Sequence, residues 1–146
     1  MKIKNNFNPN RPYCRTEIDE AFKKRKASMQ IEALQRGLKF DGKNLAIYQD
    51  CYTGKTLRGG DRYDYEHIIS SESIFMHFRA THTNTQIAEI VNHPKNVSVT
   101  LRTINQYKGK YDLQTRILNN PTKIKEFEID IQLTKSNLLK AEKAVF

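Results

Sequence analysis

The chain has 146 residues, of which 38% are hydrophobic and 28% are charged. This length suits a single domain, 1–146, whose core can form without disulfides or a structural metal. No run of about 18 apolar residues is present, which argues against a membrane-spanning helix, and no apolar stretch follows the charged start as a signal peptide requires. We therefore expect a protein that acts in a cytoplasm, its own or that of a target cell into which a larger effector delivers it.

Basic residues dominate the charge. Lys and Arg number 25 against 16 Asp and Glu, which gives a formal net charge of +9. Such an excess favours a polyanionic partner, because binding a polyanion releases its condensed counterions. An acidic inhibitor protein that covers a nuclease would suit the same field. A basic run at 23–26 suits either a solvated helix face or a phosphate-binding stripe.

The two cysteines, Cys14 and Cys51, are far apart in the sequence. One pair makes neither a disulfide framework nor a zinc ribbon. We expect two free thiols in a reducing compartment.

The first part of the chain predicts an arm and one long helix. Residues 1–14 are polar and contain two prolines, which predicts an irregular N-terminal arm. Thr16, with Asp19 three residues later, predicts a capping box at the start of a helix over 15–38. Gly37 predicts the C-terminal end of this helix.

The middle of the chain predicts short elements separated by turns. Residues 39–60 carry three turn signals, and the apolar segment between them is too short to assign. A strand is predicted over 63–69, a short helix over 83–93 and a second strand over 97–100. A helix carrying Asn105 is predicted to follow directly.

The C-terminal region, 111–146, is predicted to be helical. Apolar and polar residues alternate over 127–133, which also suits a strand. Because 136–145 contains good helix formers and no breaker, we predict one helix over about 122–144.

The central segment combines an acid–histidine pair with two asparagines and a lysine at short spacings: Glu66, His67, Asn96, Asn105 and Lys108. Cleavage of a phosphodiester by water needs a base, a cation that stabilises the pentavalent phosphate, and a group that orients the base. Imidazole titrates near neutral pH and suits the base, whereas carboxylate and amide oxygens suit Mg²⁺. The lysine would lie on the same helical face as the second asparagine, within reach of a phosphate oxygen.

Residues 51–110 resemble the HNH nuclease family, and most of all the HNH domain of CRISPR RNA-guided nucleases. Those domains carry a Cys-Tyr-Thr-Gly-Lys-like turn, as at 51–55, and an Asp-x-Asp/Glu-His-Ile-Ile segment, as at 64–69. They end in Asn…Asn-x-x-Lys, as at 96–108. The resemblance implies an α+β fold with a ββα-metal core over roughly 50–110 and flanking helices.

The resemblance also implies a role for each matching residue. His67 would be the general base, and Glu66 and Asn105 would hold one divalent metal. Asn96 would brace the loop and help orient the histidine, and Lys108 would lie near the phosphate. The metal would be Mg²⁺, with Mn²⁺ or Ni²⁺ as substitutes, because an asparagine replaces the last, name-giving histidine of the family.

Four further residues have two readings each. Asp64 either assists the metal site or holds a turn. Three arginines either contact substrate phosphates or are solvated: Arg58, Arg62 and Arg102. The insertion over 70–95 either shapes substrate choice or only packs.

We therefore expect a metal-dependent endonuclease that hydrolyses DNA by direct water attack, with RNA left open as a substrate. A clamp on the phosphate does not read bases, so sequence specificity is expected to be low. The biological setting is either the toxin domain of an antibacterial effector, neutralised by an acidic immunity protein, or a restriction or phage-defence nuclease. The alternative is a non-catalytic nucleic-acid-binding module that retains the HNH fold.

Overall fold

The computed structural model describes residues 9–146. The helices and strands of this part are, in chain order, α1 (Thr16–Asp41), β1 (Ile47–Gln49), β2 (Thr56–Arg58), β3 (Tyr63–His67), α2 (Ser71–Phe78), α3 (Asn84–Val91), β4 (Val97–Leu101), α4 (Arg102–Lys108), α5 (Pro121–Glu126) and α6 (Ile131–Val145). A π-helical turn, Gln114–Leu118, lies between α4 and α5. Of the predicted N-terminal arm, 9–14 contains no helix or strand, and 1–8 lies outside the described residues.

Helix α1 begins without the predicted capping box. Arg15 is the N-cap residue, and no side chain caps the helix. Asp19 instead pairs with Arg15 across one helical turn, with 3.0 Å between carboxylate and guanidinium. The acidic side chain that was expected to cap the helix is therefore held by a neighbouring cation.

The predicted end of α1 at Gly37 is also wrong. The helix continues to Asp41, and Gly42, in the left-handed conformation at φ 65°, is the C-cap. Gly37 lies inside the helix. A Cβ at this position would overlap the backbone carbonyl of Leu45, so the position requires glycine. Its small size permits close packing of the following loop and does not end the helix.

Four strands form two separate antiparallel pairs in the described part of the chain. β1 pairs with β2, and β3 pairs with β4 in a register that places His67 opposite Val97 and Glu66 opposite Ser98. α4 follows β4 without a loop. The chain is therefore a mixed α+β protein, as the sequence predicted, and two paired strands and a helix come together around the central motif.

The insertion between β3 and β4 folds as two short helices. α2 was not predicted. Its N-cap is Ser70, whose hydroxyl accepts a hydrogen bond from the Ser73 amide at 3.1 Å. α3 begins at a capping box between Thr83 and Gln86, in agreement with the predicted start. Both helices pack with α1 around one apolar cluster that includes Ile18, Ile74, Phe75 and Ile87.

The C-terminal region contains a break where one helix was predicted. α5 ends at Glu126, and α6 begins after Asp130, whose carboxylate accepts a hydrogen bond from the Leu133 amide at 3.0 Å. The Asp130 amide itself donates to the Tyr52 carbonyl at 2.8 Å. The break exists because this backbone hydrogen bond and the burial of Ile129 tie the chain to the loop after β1.

Both cysteines are free thiols, as expected, with Cys51 buried in the core. Within residues 9–146, no helix is both long enough and apolar enough to cross a bilayer.

Candidate active site

A cavity of about 320 Å³ lies at the end of β3, between the start of α2 and the exposed side of α4. Glu66, His67 and Asn105 all line it. Arg15, from the start of α1, and Lys110, just after α4, add two cationic side chains to the wall. The structure thus brings the predicted base and both predicted metal ligands to one cavity.

Glu66 is a buried carboxylate beside the Lys108 ammonium and the Tyr52 hydroxyl, with no hydrogen bond of normal geometry to either. Its side chain is 2% exposed, and neither oxygen accepts a hydrogen bond from any residue in 9–146. The nearest cation is the Lys108 ammonium, 3.6 Å from Oε1, which is an ion-pair distance but longer than a hydrogen bond. Burial raises the pKa of Glu66 to about 7, against the opposing effects of the Lys108 ammonium and the Tyr52 hydroxyl. Such a carboxylate retains unused capacity to bind a cation.

Lys108 connects α4 to the end of β3. Its side chain is 1% exposed, and Nζ donates to the His67 carbonyl at 3.2 Å while pairing with Glu66. It is not among the residues that line the cavity. In this conformation Lys108 holds the backbone of the site and does not face the space where a phosphate would enter.

The imidazole of His67 is hydrogen-bonded by Asn92, at the end of α3. The distance from Nε2 to Asn92 Oδ1 is 2.8 Å. The Asn92 amide nitrogen donates to the carbonyls of Ile18, at 3.1 Å, and Ala88, at 2.9 Å. Because the nitrogen is engaged in this way, Oδ1 must face the imidazole, and Oδ1 can only accept. Nε2 therefore carries the proton in the neutral ring, and Nδ1 is the basic nitrogen.

The ring of His67 is further held by an aromatic contact from α1. The Phe22 ring lies with its centroid 4.2 Å from that of the imidazole, tilted by 43°. Burial lowers the pKa of His67 to about 4; the Asn92 hydrogen bond opposes this change, and the Arg15 cation adds to it. The imidazole is therefore uncharged at neutral pH and able to accept a proton.

Asn105 is oriented by Asp64 across the β3–α4 contact. Asn105 Nδ2 donates to Asp64 Oδ2 at 2.9 Å, and Arg102 Nε donates to Asp64 Oδ1 at 2.9 Å. A carboxylate only accepts hydrogen bonds, so the amide nitrogen must face Asp64 and the amide oxygen must point elsewhere. Both oxygens of Asp64 are engaged, and it does not line the cavity. Its observed role is to position Asn105.

Asn96 braces the turn that follows His67. It is fully buried; Oδ1 accepts from the Ile69 amide at 2.8 Å, and Nδ2 donates to the carbonyls of Ile69 and Val91 at 3.1 and 2.9 Å. The bracing role implied by the resemblance matches these contacts. The imidazole itself is bonded to Asn92, so two asparagines divide the tasks of holding the backbone and orienting the ring.

None of the three predicted phosphate-binding arginines lines the cavity. Arg58 pairs with Asp41 at 3.0 Å, and Arg62 is exposed, with its carbonyl accepting from the Arg102 amide. The third, Arg102, is paired with Asp64 at 2.9 Å. The arginine that does line the cavity is Arg15, which sequence reasoning did not single out.

The oxygen donors in the cavity wall include the side chains of Glu66 and Asn105, which are candidate ligands for a divalent cation. Residues 9–146 contain no cluster of three or more His, Cys, Asp or Glu side chains arranged to hold a metal ion. Mg²⁺ is usually held by one or two carboxylates together with waters and substrate phosphates, and does not require such a cluster. The Glu66 carboxylate, which lacks a normal hydrogen bond, and the directed oxygen of Asn105 fit that requirement.

Asn92 and Phe22 were missed by the sequence analysis. In the sequence, Asn92 follows an amphipathic helix and has the pattern of a C-terminal cap. Phe22 has the pattern of an ordinary apolar residue of α1. Their contacts with His67 depend on how α1 and α3 pack on β3, which no local pattern records. No protein-family model, curated protein or solved structure matches the chain.

Proposed function

We propose that the protein is a metal-dependent endonuclease of the HNH type that hydrolyses phosphodiester bonds in DNA, with RNA as a second substrate to test. One observation carries the proposal: a neutral imidazole with a defined tautomer and a buried carboxylate without a normal hydrogen bond line the same cavity. The order β3, β4, α4 supports it, because Glu66 and His67 lie on the first strand and Asn105 lies on the helix. This is the arrangement that the resemblance to HNH nucleases implies.

Glu66 and Asn105 would hold the divalent cation, Mg²⁺ with Mn²⁺ or Ni²⁺ as substitutes, and the cation would supply positive charge to the phosphate and the leaving oxygen. The other residues act around this pair. Asp64 directs the Asn105 oxygen, and Lys108 compensates the carboxylate when no cation is bound.

His67 takes the proton from the attacking water at Nδ1. The developing positive charge is shared with Nε2–H, which stays bonded to Asn92 Oδ1 throughout, so the ring does not reorient during proton transfer. The pKa of about 4 applies to the protein without substrate. A phosphodiester in the cavity would add negative charge beside the imidazole, which acts against the lowering of its pKa by burial, whereas the charge of the bound cation would lower that pKa further.

The substrate phosphate would be received by cations whose present partners are exposed. Arg15 pairs with Asp19, and Lys110 pairs with Glu72 at 3.5 Å. Exposed ion pairs of this kind contribute little and exchange partners readily. These contacts reach phosphates and not base edges, which supports low sequence specificity.

The biological setting remains a choice between two proposals: the toxin domain of an antibacterial effector with an acidic immunity protein, and a restriction or phage-defence nuclease. The net charge of +9 suits binding to both DNA and an acidic inhibitor. Growth arrest on expression in bacteria, relieved by an acidic partner protein, would support the toxin. Discrete fragments from plasmid digestion would support a restriction enzyme.

Incubation of supercoiled plasmid with the protein tests the activity. Mg²⁺ should produce nicked and linear DNA, and EDTA or His67→Ala should abolish cleavage. His77→Ala is the matched control, because His77 is an exposed histidine that does not line the cavity. Plasmid that stays supercoiled with Mg²⁺, Mn²⁺ and Ni²⁺ would refute the proposal.

The alternative, a non-catalytic binding module, is favoured by one observation. The Lys108 ammonium already compensates Glu66 without any cation. This alternative predicts that the wild-type protein binds DNA in a mobility-shift assay and cleaves it with none of the three metals.

A further inference from the structure

A second depression, of about 380 Å³, lies on the surface after α4. Its wall consists of aromatic, cationic and polar side chains: Tyr107, Tyr111, Asp112, Thr115, Arg116 and Asn120. We call it the aromatic depression. The function proposed above does not use it.

A guanidinium is fixed between two tyrosine rings at this place. The Arg116 Cζ atom lies 4.2 Å from the Tyr107 ring centroid and 4.8 Å from that of Tyr111, and Nε donates to the Tyr107 carbonyl at 2.9 Å. No carboxylate in residues 9–146 lies within ion-pair distance of Arg116. The nearby Asp112 is engaged by the amide and hydroxyl of Thr115, both at 2.9 Å. The charge of Arg116 is therefore held in place without a compensating anion.

The backbone that carries Arg116 is unusual. Gln114–Leu118 forms a π-helical turn, in which the Asn119 amide donates to the Gln114 carbonyl at 2.7 Å. Such turns are rare and frequently occur at functional sites. Tyr111, three residues before this turn, remains 56% exposed.

The aromatic depression lies next to the cavity that contains Glu66 along the chain. Lys110 lines the cavity, and Tyr111, the next residue, lines the depression. A smaller groove of about 160 Å³ shares Ser70 and Lys110 with the cavity and Tyr111 and Asp112 with the depression.

We propose that the aromatic depression binds an unpaired nucleotide of the substrate, whose base stacks on Tyr111 and whose phosphate pairs with Arg116. Exposed tyrosine rings beside fixed cations bind single strands because every unpaired base offers an aromatic face. In a duplex these faces are covered by neighbouring bases. The substrate class is therefore single-stranded nucleic acid, or a duplex opened at the cut, and this part of the inference rests on the proposed nuclease function.

Fluorescence anisotropy with the full chain in EDTA tests the binding surface without cleavage. The labelled probes are oligothymidylate, oligouridylate and a blunt-ended DNA duplex without a loop. Tyr111→Leu should weaken binding of the single strands about tenfold, which is within the usual effect of losing one stacked base. Tyr111→Phe, which keeps the ring, should bind like the wild type. A comparison of the two single-stranded probes separates DNA from RNA as the source of the nucleotide.

The matched control is Phe40→Leu. Phe40 is an aromatic residue on α1 that is 67% exposed and has the Lys39 ammonium 5.6 Å from its ring centroid, but it lines neither the cavity nor the depression. Its substitution should leave all three affinities unchanged. Equal losses in Phe40→Leu and Tyr111→Leu, or a Tyr111→Leu effect equally large on the blunt-ended duplex, would overturn the proposal.

The two proposals can fail separately. Single-strand binding that depends on Tyr111, combined with no plasmid cleavage in any metal, supports the aromatic depression and contradicts the nuclease. Metal-dependent cleavage with single-strand binding unchanged in Tyr111→Leu contradicts the aromatic depression alone.

Discussion

Glu66 and His67 are neighbours on β3 whose pKa values are shifted by burial in opposite directions, with opposite consequences for stability. The pKa of Glu66 is raised from 4.5 to about 7. Between these values the native state holds a proton that the unfolded state releases. The free energy of unfolding therefore falls as pH rises through this window, by about 3 kcal/mol in total, at about 1.4 kcal/mol per pKa unit.

The contribution of His67 has the opposite sign. Its pKa is lowered from 6.5 to about 4, so between these values the unfolded state binds the extra proton. The free energy of unfolding then rises with pH, again by about 3 kcal/mol. From about pH 4.5 to 6.5 the two contributions nearly cancel, and this pair should produce little net pH dependence in the wild type.

A substitution at either residue removes its pH-dependent contribution to the free energy of unfolding and leaves that of the other residue. Glu66→Gln leaves the His67 contribution, so its stability relative to the wild type should improve by about 3 kcal/mol from pH 4.5 to 7. His67→Gln should show the reverse trend, losing about 3 kcal/mol relative to the wild type between pH 4 and 6.5. Urea denaturation followed by circular dichroism at each pH measures both differences, and comparison with the wild type cancels the other titrating groups. Two differences that are flat with pH, or that change in the same direction, would refute the assignment of these pKa shifts.

Three further outcomes are expected. Lys108→Met should destabilise the fold by about 3–5 kcal/mol in urea denaturation well above pH 7, since it leaves the Glu66 carboxylate buried without a counter-charge, and by less below pH 7, where Glu66 is protonated. The double substitution with Glu66→Gln should recover most of the loss at high pH; a loss that persists in the double variant would count against the ion pair. Asn92→Leu should lower the rate of cleavage about 10- to 100-fold. In ¹⁵N NMR spectra, His67 should be the Nε2–H tautomer in the wild type and lose this preference in the variant. An Nδ1–H tautomer in the wild type would contradict the geometry. Mg²⁺ should raise the melting temperature of the wild type but not of Glu66→Gln, and the rise should diminish below about pH 7 as Glu66 becomes protonated; equal stabilisation of both proteins would place the cation elsewhere.

The elements that were predicted from the sequence have local determinants. Thr83, a residue type that starts helices, predicts the beginning of α3, where the structure adds a capping box with Gln86, and the alternation of Val97 and Val99 with polar residues predicts β4. The predictions that failed depended on contacts between distant segments. A glycine is required within α1 at position 37 because the Leu45 carbonyl packs against it. This contact comes from a later segment and cannot be inferred from the sequence of the helix.

The candidate site follows the same distinction. The adjacency of Glu66 and His67, and the helical spacing of Asn105 and Lys108, are local features that the sequence displays directly. The structure adds that Lys108 is buried against Glu66 and that Asp64 orients Asn105. Both contacts cross from β3 to α4, over about 40 residues of sequence, and depend on the β3–β4 register.

The insertion over 70–95 has a larger role in the site than packing alone. It contributes Asn92, which defines the tautomer of His67, and the carbonyl of Val91, which accepts from Asn96. Asn92 in turn is fixed by the Ile18 carbonyl of α1 and the Ala88 carbonyl of α3. The orientation of the proposed base therefore depends on three segments that meet only in the folded chain.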